Sequence, residues 1–263
     1  MQKKILWGLV FIASLYSGVL LFMSTNQRNM QYAPGSKAIA LENVAVPRAE
    51  IATISTGYLN VYGWYAPPLD GKPTILYFKG NEGSFSKEHA KFAEITNDGY
   101  GLLAFDYRGF PLSPGKINQD NILNDSLAAF DWLANKGSDI ILYGRSLGTG
   151  PATYVASKRD AKALILETPF TSAADVAAER YPIFPVEKLF KDKYEVREWI
   201  KQVQEPVFVG HGTADKVIPV THGERVFALA PNAKQLWIVE NGTHGSLWDA
   251  GLWQQIQAFA LNN

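Results

Sequence analysis

The sequence predicts an α/β fold, with a mostly parallel central sheet, helices on both faces and a small inserted lid. Three observations predict it. Apolar runs at 74–78, 101–105, 140–143 and 163–166 have the length and continuity of strands covered on both faces. Segments of helical length separate them, the alternation that βαβ crossovers produce. The 263 residues are 47% hydrophobic and 19% charged, which supplies the core of one domain of this class plus an appendage.

Lys3 and Lys4 precede an uncharged apolar run over residues 5–23. A helix over that run is ~28 Å long, close to the ~30 Å of a bilayer's hydrocarbon core. Residues 1–23 therefore read as a transmembrane anchor. A cleaved signal peptide has a shorter apolar region and a small-x-small cleavage site, and neither is clear here. With Lys3, Lys4 and the terminal amine before the run and Arg28 after it, the N-terminus is expected in the cytoplasm. The remainder is then extracytoplasmic, periplasmic if the source is bacterial.

Residues 24–43 turn polar and unpatterned and carry the turn signal Pro34-Gly35, so they read as a tether. The domain is expected over 44–263, opening with an antiparallel hairpin of alternating segments at 49–53 and 59–65. Helices are expected at 86–97, 121–135 and 147–157 between the apolar strands. The rhythm breaks at about 171–205, where Tyr181-Pro182-Ile183-Phe184-Pro185 sits among helical pieces and is expected to cover a site as a lid. A strand at 207–209, a helix at 220–229, a strand at 236–239 and a helix at 247–261 complete the sheet.

Composition excludes several chemistries. Lys plus Arg equals Asp plus Glu at 25 each, so no basic excess exists for nucleic acid. Cysteine is absent, which removes disulfides, thiolate metal sites and a cysteine nucleophile. No metal or cofactor is expected.

What remains is a serine. In Gly144-Arg145-Ser146-Leu147-Gly148 a strand end meets helix-starting residues, and glycines stand two residues either side of Ser146. A serine on so sharp a turn takes a strained backbone, and the glycines remove side chains that would collide there. The turn aims the Ser146 hydroxyl above the sheet and leaves the Leu147 N–H at a helix start, where negative charge can be met. Partners are sought just beyond strand ends, where open α/β sheets form their sites. Of four histidines, His89 and His222 fall in helices and His211 ends a strand as a turn or core residue. His244, in the loop Asn241-Gly242-Thr243-His244-Gly245, is the best base. Asp215, after the preceding strand, is the best acid to orient it, with Glu167 as rival. The second oxyanion N–H is assigned to Asn81 in Lys79-Gly80-Asn81-Glu82-Gly83, with Glu82 the rival.

These segments, together with Asp106-Tyr107-Arg108-Gly109-Phe110, Glu167-Thr168-Pro169-Phe170 and His211-Gly212-Thr213-Ala214-Asp215, resemble the α/β-hydrolase superfamily. The resemblance is to its small-lid, N-terminally anchored serine hydrolase branch, which includes abhydrolase-domain depalmitoylases. It implies Ser146, Asp215 and His244 as a triad, with Asn81 and Leu147 as the oxyanion pair. Lys79 and Glu82 depart from the family's usual histidine and alanine. They are expected either to alter substrate preference or to form a surface pair. Asp106 and Arg108 are expected to be structural, as a paired network behind the site. The implied activity is cleavage of a carboxylic ester or thioester through an acyl-enzyme, on a small or lipid-like acyl substrate, with the membrane met through residues 5–23. A peptidase or amidase on the same triad, or a membrane-tethered binding protein without turnover, stays open.

Overall fold

The computed structural model describes residues 2–262. An eight-stranded sheet has the order β1-β2-β4-β3-β5-β6-β7-β8. Its strands are β1 Glu50–Ser55, β2 Asn60–Ala66, β3 Thr74–Phe78, β4 Gly101–Phe105, β5 Ile140–Arg145, β6 Ala163–Glu167, β7 Val207–Gly212 and β8 Ala233–Val239. The pairs β1–β2 and β2–β4 are antiparallel, and every pair from β4 to β8 is parallel.

The continuous apolar strands are buried on both faces because alternate side chains enter different layers. From β3, Leu76 and Phe78 join the layer beneath α3 (Gln119–Ala134) and α4 (Thr149–Ala156). Ile75 and Tyr77 join the opposite layer, against α2 (His89–Asn97) and α9 (Leu252–Asn262). The chain leaves β3 on one side to form β4 and returns on the other to form β5. The order therefore reverses between β3 and β5, where sheets of this kind open a crevice at their carboxyl ends. Between β6 and β7 lie three short helices, α5 (Ala173–Arg180), α6 (Val186–Leu189) and α7 (Val196–Trp199). β8 begins three residues earlier than its apolar core suggests, since paired strands extend as far as the partner β7 offers backbone. The closing helix starts at Leu252, after turns over 245–251.

The N-terminal segment corrects the tether reading. Helix α1 runs over Gln2–Gln31, past the change from apolar to polar residues. A composition change does not end a helix; a breaker does, and none stands before Pro34-Gly35. Thr25 Oγ1 and Asn26 Nδ2 donate back to the carbonyls of Leu21 and Phe22, so the polar turn satisfies itself. Residues 2–19 are exposed, whereas Leu20, Met23, Ser24, Gln27 and Gln31 form a more buried stripe at helical spacing. That stripe faces the α5–α6 insertion.

Polar latches fix the contact. Gln27 donates to the Leu189 carbonyl and accepts from the Lys191 N–H, at 3.3 and 2.7 Å. Arg28 grips the Asp192 carboxylate through two nitrogens at 2.9 and 3.1 Å. The Tyr32 hydroxyl adds a third bond to Asp192 at 3.0 Å, and Gln31 donates to the Asp192 carbonyl. Beyond Tyr32, the Ala33 N–H donates to the Asn81 carbonyl and the Ala33 carbonyl accepts from the Gly83 N–H, at 3.0 and 2.9 Å. The segment read as a tether is thus paired with the loop after β3.

Candidate active site

Three strand ends and one loop converge on Ser146. At the end of β5 the residue takes a φ of 52°, left-handed backbone that a non-glycine residue adopts only under constraint. The neighbouring glycines are obligatory. A Cβ on Gly144 would stand 2.5 Å from the Gly148 carbonyl oxygen, and one on Gly148 would stand 1.9 Å from that of Phe78. Ser146 is therefore held where the helix start crosses tightly over β3.

His244 links Ser146 to a carboxylate. Its Nδ1 lies 2.7 Å from Asp215 Oδ2 and its Nε2 lies 2.9 Å from Ser146 Oγ. An ionised carboxylate only accepts, so the proton sits on Nδ1 and Nε2 is left to accept from the serine hydroxyl. Burial alone would raise the Asp215 carboxyl, but bonds from His211 and His244 and from the Ile218 amide hold it well below the usual range. The Val217 and Ile218 N–H groups both donate to Asp215 Oδ1, at 2.8 and 2.9 Å. Asp215 is thus ionised and fixed in rotation.

Glu167, the rival acid, is engaged elsewhere. It accepts from the Tyr143 hydroxyl and from Arg145 Nε, fully buried beneath the elbow. Arg145 also reaches Glu88 at 3.4 Å, so the residue before the serine is pinned on two sides. Sequence reasoning missed His211 as a contributor. It is buried, donates from Nε2 to the Ile218 carbonyl at 2.9 Å, and lies 3.4 Å from Asp215. The signal was its place four residues before the aspartate, with Gly223 opposite, where a Cβ would meet the ring nitrogen at 2.5 Å.

Asn81 and Leu147 line one cavity with Ser146. A Cβ on Gly80 would come within 3.7 Å of the Ser146 Cβ, so the loop lies directly against the elbow. The Asn81 carbonyl accepts from Ala33 and its side-chain amide donates to the Gln31 carbonyl at 2.9 Å, while the Gly80 carbonyl, in the same peptide unit as the Asn81 N–H, accepts from Lys79 at 2.8 Å. The Glu82 side chain is exposed and reaches Lys87 at 3.7 Å.

Two expectations around the loop are corrected. Lys79 does not pair with Glu82 at the surface. It is buried, donates to the Gly80 carbonyl at 2.8 Å, and sets its ammonium 3.6 Å over the Phe110 ring. Burial, opposed by the nearby Asp106 carboxylate, pulls it down to about 7. Nor do Asp106 and Arg108 pair with each other. Asp106 accepts from the Phe85 and Leu112 N–H groups, while Arg108 grips Asp125 on α3. β4 ends at Phe105, and the turn that follows, with Gly109 at a φ of 84°, breaks the strand alternation and sends the Asp106 and Arg108 side chains to different layers.

The cavity, about 230 Å³, extends from Ser146 between α1 and the α5–α6 insertion, with mostly apolar walls. Among the described residues no group of three His, Cys, Asp or Glu side chains is placed to hold a metal ion.

Residues 73–194 match the family described as alpha/beta hydrolase fold. An uncharacterized protein of Mycobacterium tuberculosis is 32% identical over 89% of this chain and 85% of its own length. The lysophosphatidylserine lipase ABHD12 of Xenopus tropicalis is 30% identical over 66% of this chain, which spans about half, 51%, of that relative. An esterase of Pyrococcus furiosus, PF2001, shares the fold with a TM-score of 0.69 at 19% identity, over 88% of this chain and 96% of its own. A relative at this identity over most of its length, a second over about half of its length, a family match across the elbow and a shared sheet make the chain a member of the alpha/beta-hydrolase superfamily, an ABHD-like hydrolase.

Proposed function

We propose that the protein cleaves carboxylic ester or thioester bonds through an acyl-enzyme on Ser146. The observation that carries this reading is the single imidazole of His244 bridging Ser146 Oγ and Asp215 Oδ2 at bonding distance on both sides. As the Ser146 oxygen attacks the acyl carbon, His244 Nε2 takes its proton and the Asp215 carboxylate steadies the imidazolium. The carbonyl oxygen becomes an oxyanion, met by the N–H groups of Leu147 and Asn81. Collapse of this intermediate breaks the bond to the alcohol or thiol, which leaves with the proton from His244. Water then attacks the acyl-enzyme with His244 as base, returning free Ser146 and a carboxylic acid.

A lipid-like acyl substrate is favoured by the apolar cavity and by the lipase among the relatives. Residues 5–23 of α1, exposed and apolar, serve as a single-pass anchor, with the hydrolase domain on the extracytoplasmic side by the charge balance of Lys3 and Lys4 against Arg28. The test is labelling of the detergent-solubilised full chain with a fluorophosphonate probe. Wild type should label and Ser146→Ala should not; equal labelling would dismiss the assignment.

A further inference from the structure

The cavity at Ser146 has an unusual second wall. Its inner end is the nucleophile, and its sides are Val176, Phe184 and Phe190 of the insertion and Leu20 and Met23 of α1. Leu20 and Met23 belong at once to the apolar run that spans the bilayer and to the stripe that faces the site. The insertion meets the same run further up. Tyr16 stacks on Phe184 at 5.3 Å between ring centroids and donates to the Ile183 carbonyl at 3.0 Å. Ile183 itself is 72% exposed beside a helix whose neighbouring apolar side chains, Ile12 and Leu15, are also exposed, at 63% and 59%. One exposed isoleucine is ordinary, but beside the bare apolar run of α1 it extends a surface of the kind that marks a membrane interface.

We infer that the groove between the anchor helix and the α5–α6 insertion is an acyl-chain site. Its occupant is the long hydrocarbon chain of a membrane amphiphile, which reaches Ser146 directly from the bilayer. This rests on the reading of Ser146 as an acyl-accepting nucleophile. The chemistry of the two ends fixes the occupant. At the inner end a serine requires a carbonyl carbon; at the outer end the walls are the side chains that meet lipid tails. Arg180 is the one charged side chain among the lining residues, so a hydrocarbon chain displaces little bound water from polar groups. The anchor then does more than hold the protein at a surface: it supplies the residues that select chain length.

The test uses the full chain in vesicles of ether-linked phosphatidylcholine, which offer no carboxylic ester to the enzyme. Turnover of matched p-nitrophenyl butyrate and palmitate is compared across three variants. Met23→Trp and Leu20→Trp fill the groove; Leu21→Trp adds the same bulk on the exposed side of the same helix. The palmitate-to-butyrate ratio of kcat/KM should fall about tenfold or more in the first two, the scale on which apolar pockets discriminate chain atoms, and stay within about twofold in Leu21→Trp. Equal ratios in all three, an equal fall in all three, or faster cleavage of aromatic amides than of palmitate by wild type would each overturn the site. A second measurement separates this from the underlying chemistry. In a Ser146→Ala background, a fluorescent long-chain fatty acid should bind, and adding Met23→Trp should weaken it about tenfold. If Ser146→Ala still hydrolyses esters, the nucleophile is wrong; if the probe binds Ser146→Ala with and without Met23→Trp alike, the groove is wrong.

Discussion

The two sides of the cavity are built in opposite ways. The sheet side takes Ser146, Asp215 and His244 from the ends of three parallel-sheet strands, β5, β7 and β8, and each owes its position to a few neighbours in sequence: the crowded glycines of the elbow, the Val217 and Ile218 amides on Asp215. The anchor side has no such local logic. Gln27, Arg28 and Tyr32 find their partners about 160 residues away, at Leu189, Lys191 and Asp192. The lesson is that a site can be half written in motifs and half in pairings that only the folded chain reveals.

That contrast can be broken by mutation, most severely on the sheet side. His244→Ala should reduce turnover by about 10⁶, since removing the base of such a unit costs nearly as much as removing all of it. Asp215→Asn should cost about 10⁴ by favouring the wrong tautomer, while Glu167→Gln, tied to Tyr143 and Arg145, should not approach that loss in steady-state kinetics. On the anchor side, Asp192→Ala removes the charged partner of Arg28 and one of the two partners of the Tyr32 hydroxyl, which keeps Tyr194 at 2.9 Å, and should lower stability by about 1–3 kcal/mol in thermal unfolding. An unchanged melting curve would reduce this side to the passive tether that its composition predicts.

Lys79 tests the loop between the two sides by pH. Its ammonium is pulled down to about 7 by burial, against about 10.4 in an unfolded chain. Between those values the unfolded state binds more protons, so stability rises with pH through the window and the cost of charging the buried group is felt toward pH 7. The melting temperature of wild type relative to Lys79→Met should therefore increase from pH 7 to pH 10; a constant difference would mean the lysine titrates normally. The smallest effect is expected from Glu82→Ala, which removes an exposed pair with Lys87 and should change stability by less than about 0.5 kcal/mol.

Legibility in sequence follows the same division. The parallel strands, the hairpin and the helices were readable because each carries its own periodicity or apolar run. The meeting of Ser146, Asp215 and His244 was readable because strand ends of one sheet share one rim. Lys79 was not, because nothing local says that a lysine beside two glycines will turn inward over Phe110. The docking of residues 24–33 was not, because a polar helical turn looks alike whether it faces water or a lid. Its helical spacing at Leu20, Met23, Gln27 and Gln31 is present in the sequence, but it straddles the boundary between an apolar and a polar composition, and neither half carries the stripe alone.

The pairing of Ala33 with the loop after β3 has a mechanical side. Only Tyr32 separates the last helical residue of α1 from the two backbone bonds to Asn81 and Gly83, so the connection contains almost no slack. A helix answers a mismatch between its apolar length and the bilayer by tilting. On the proposed reading of α1 as an anchor, tilt has nowhere to dissipate before it reaches Ala33 and the loop at Asn81, so membrane thickness and the position of that loop beside Ser146 change together.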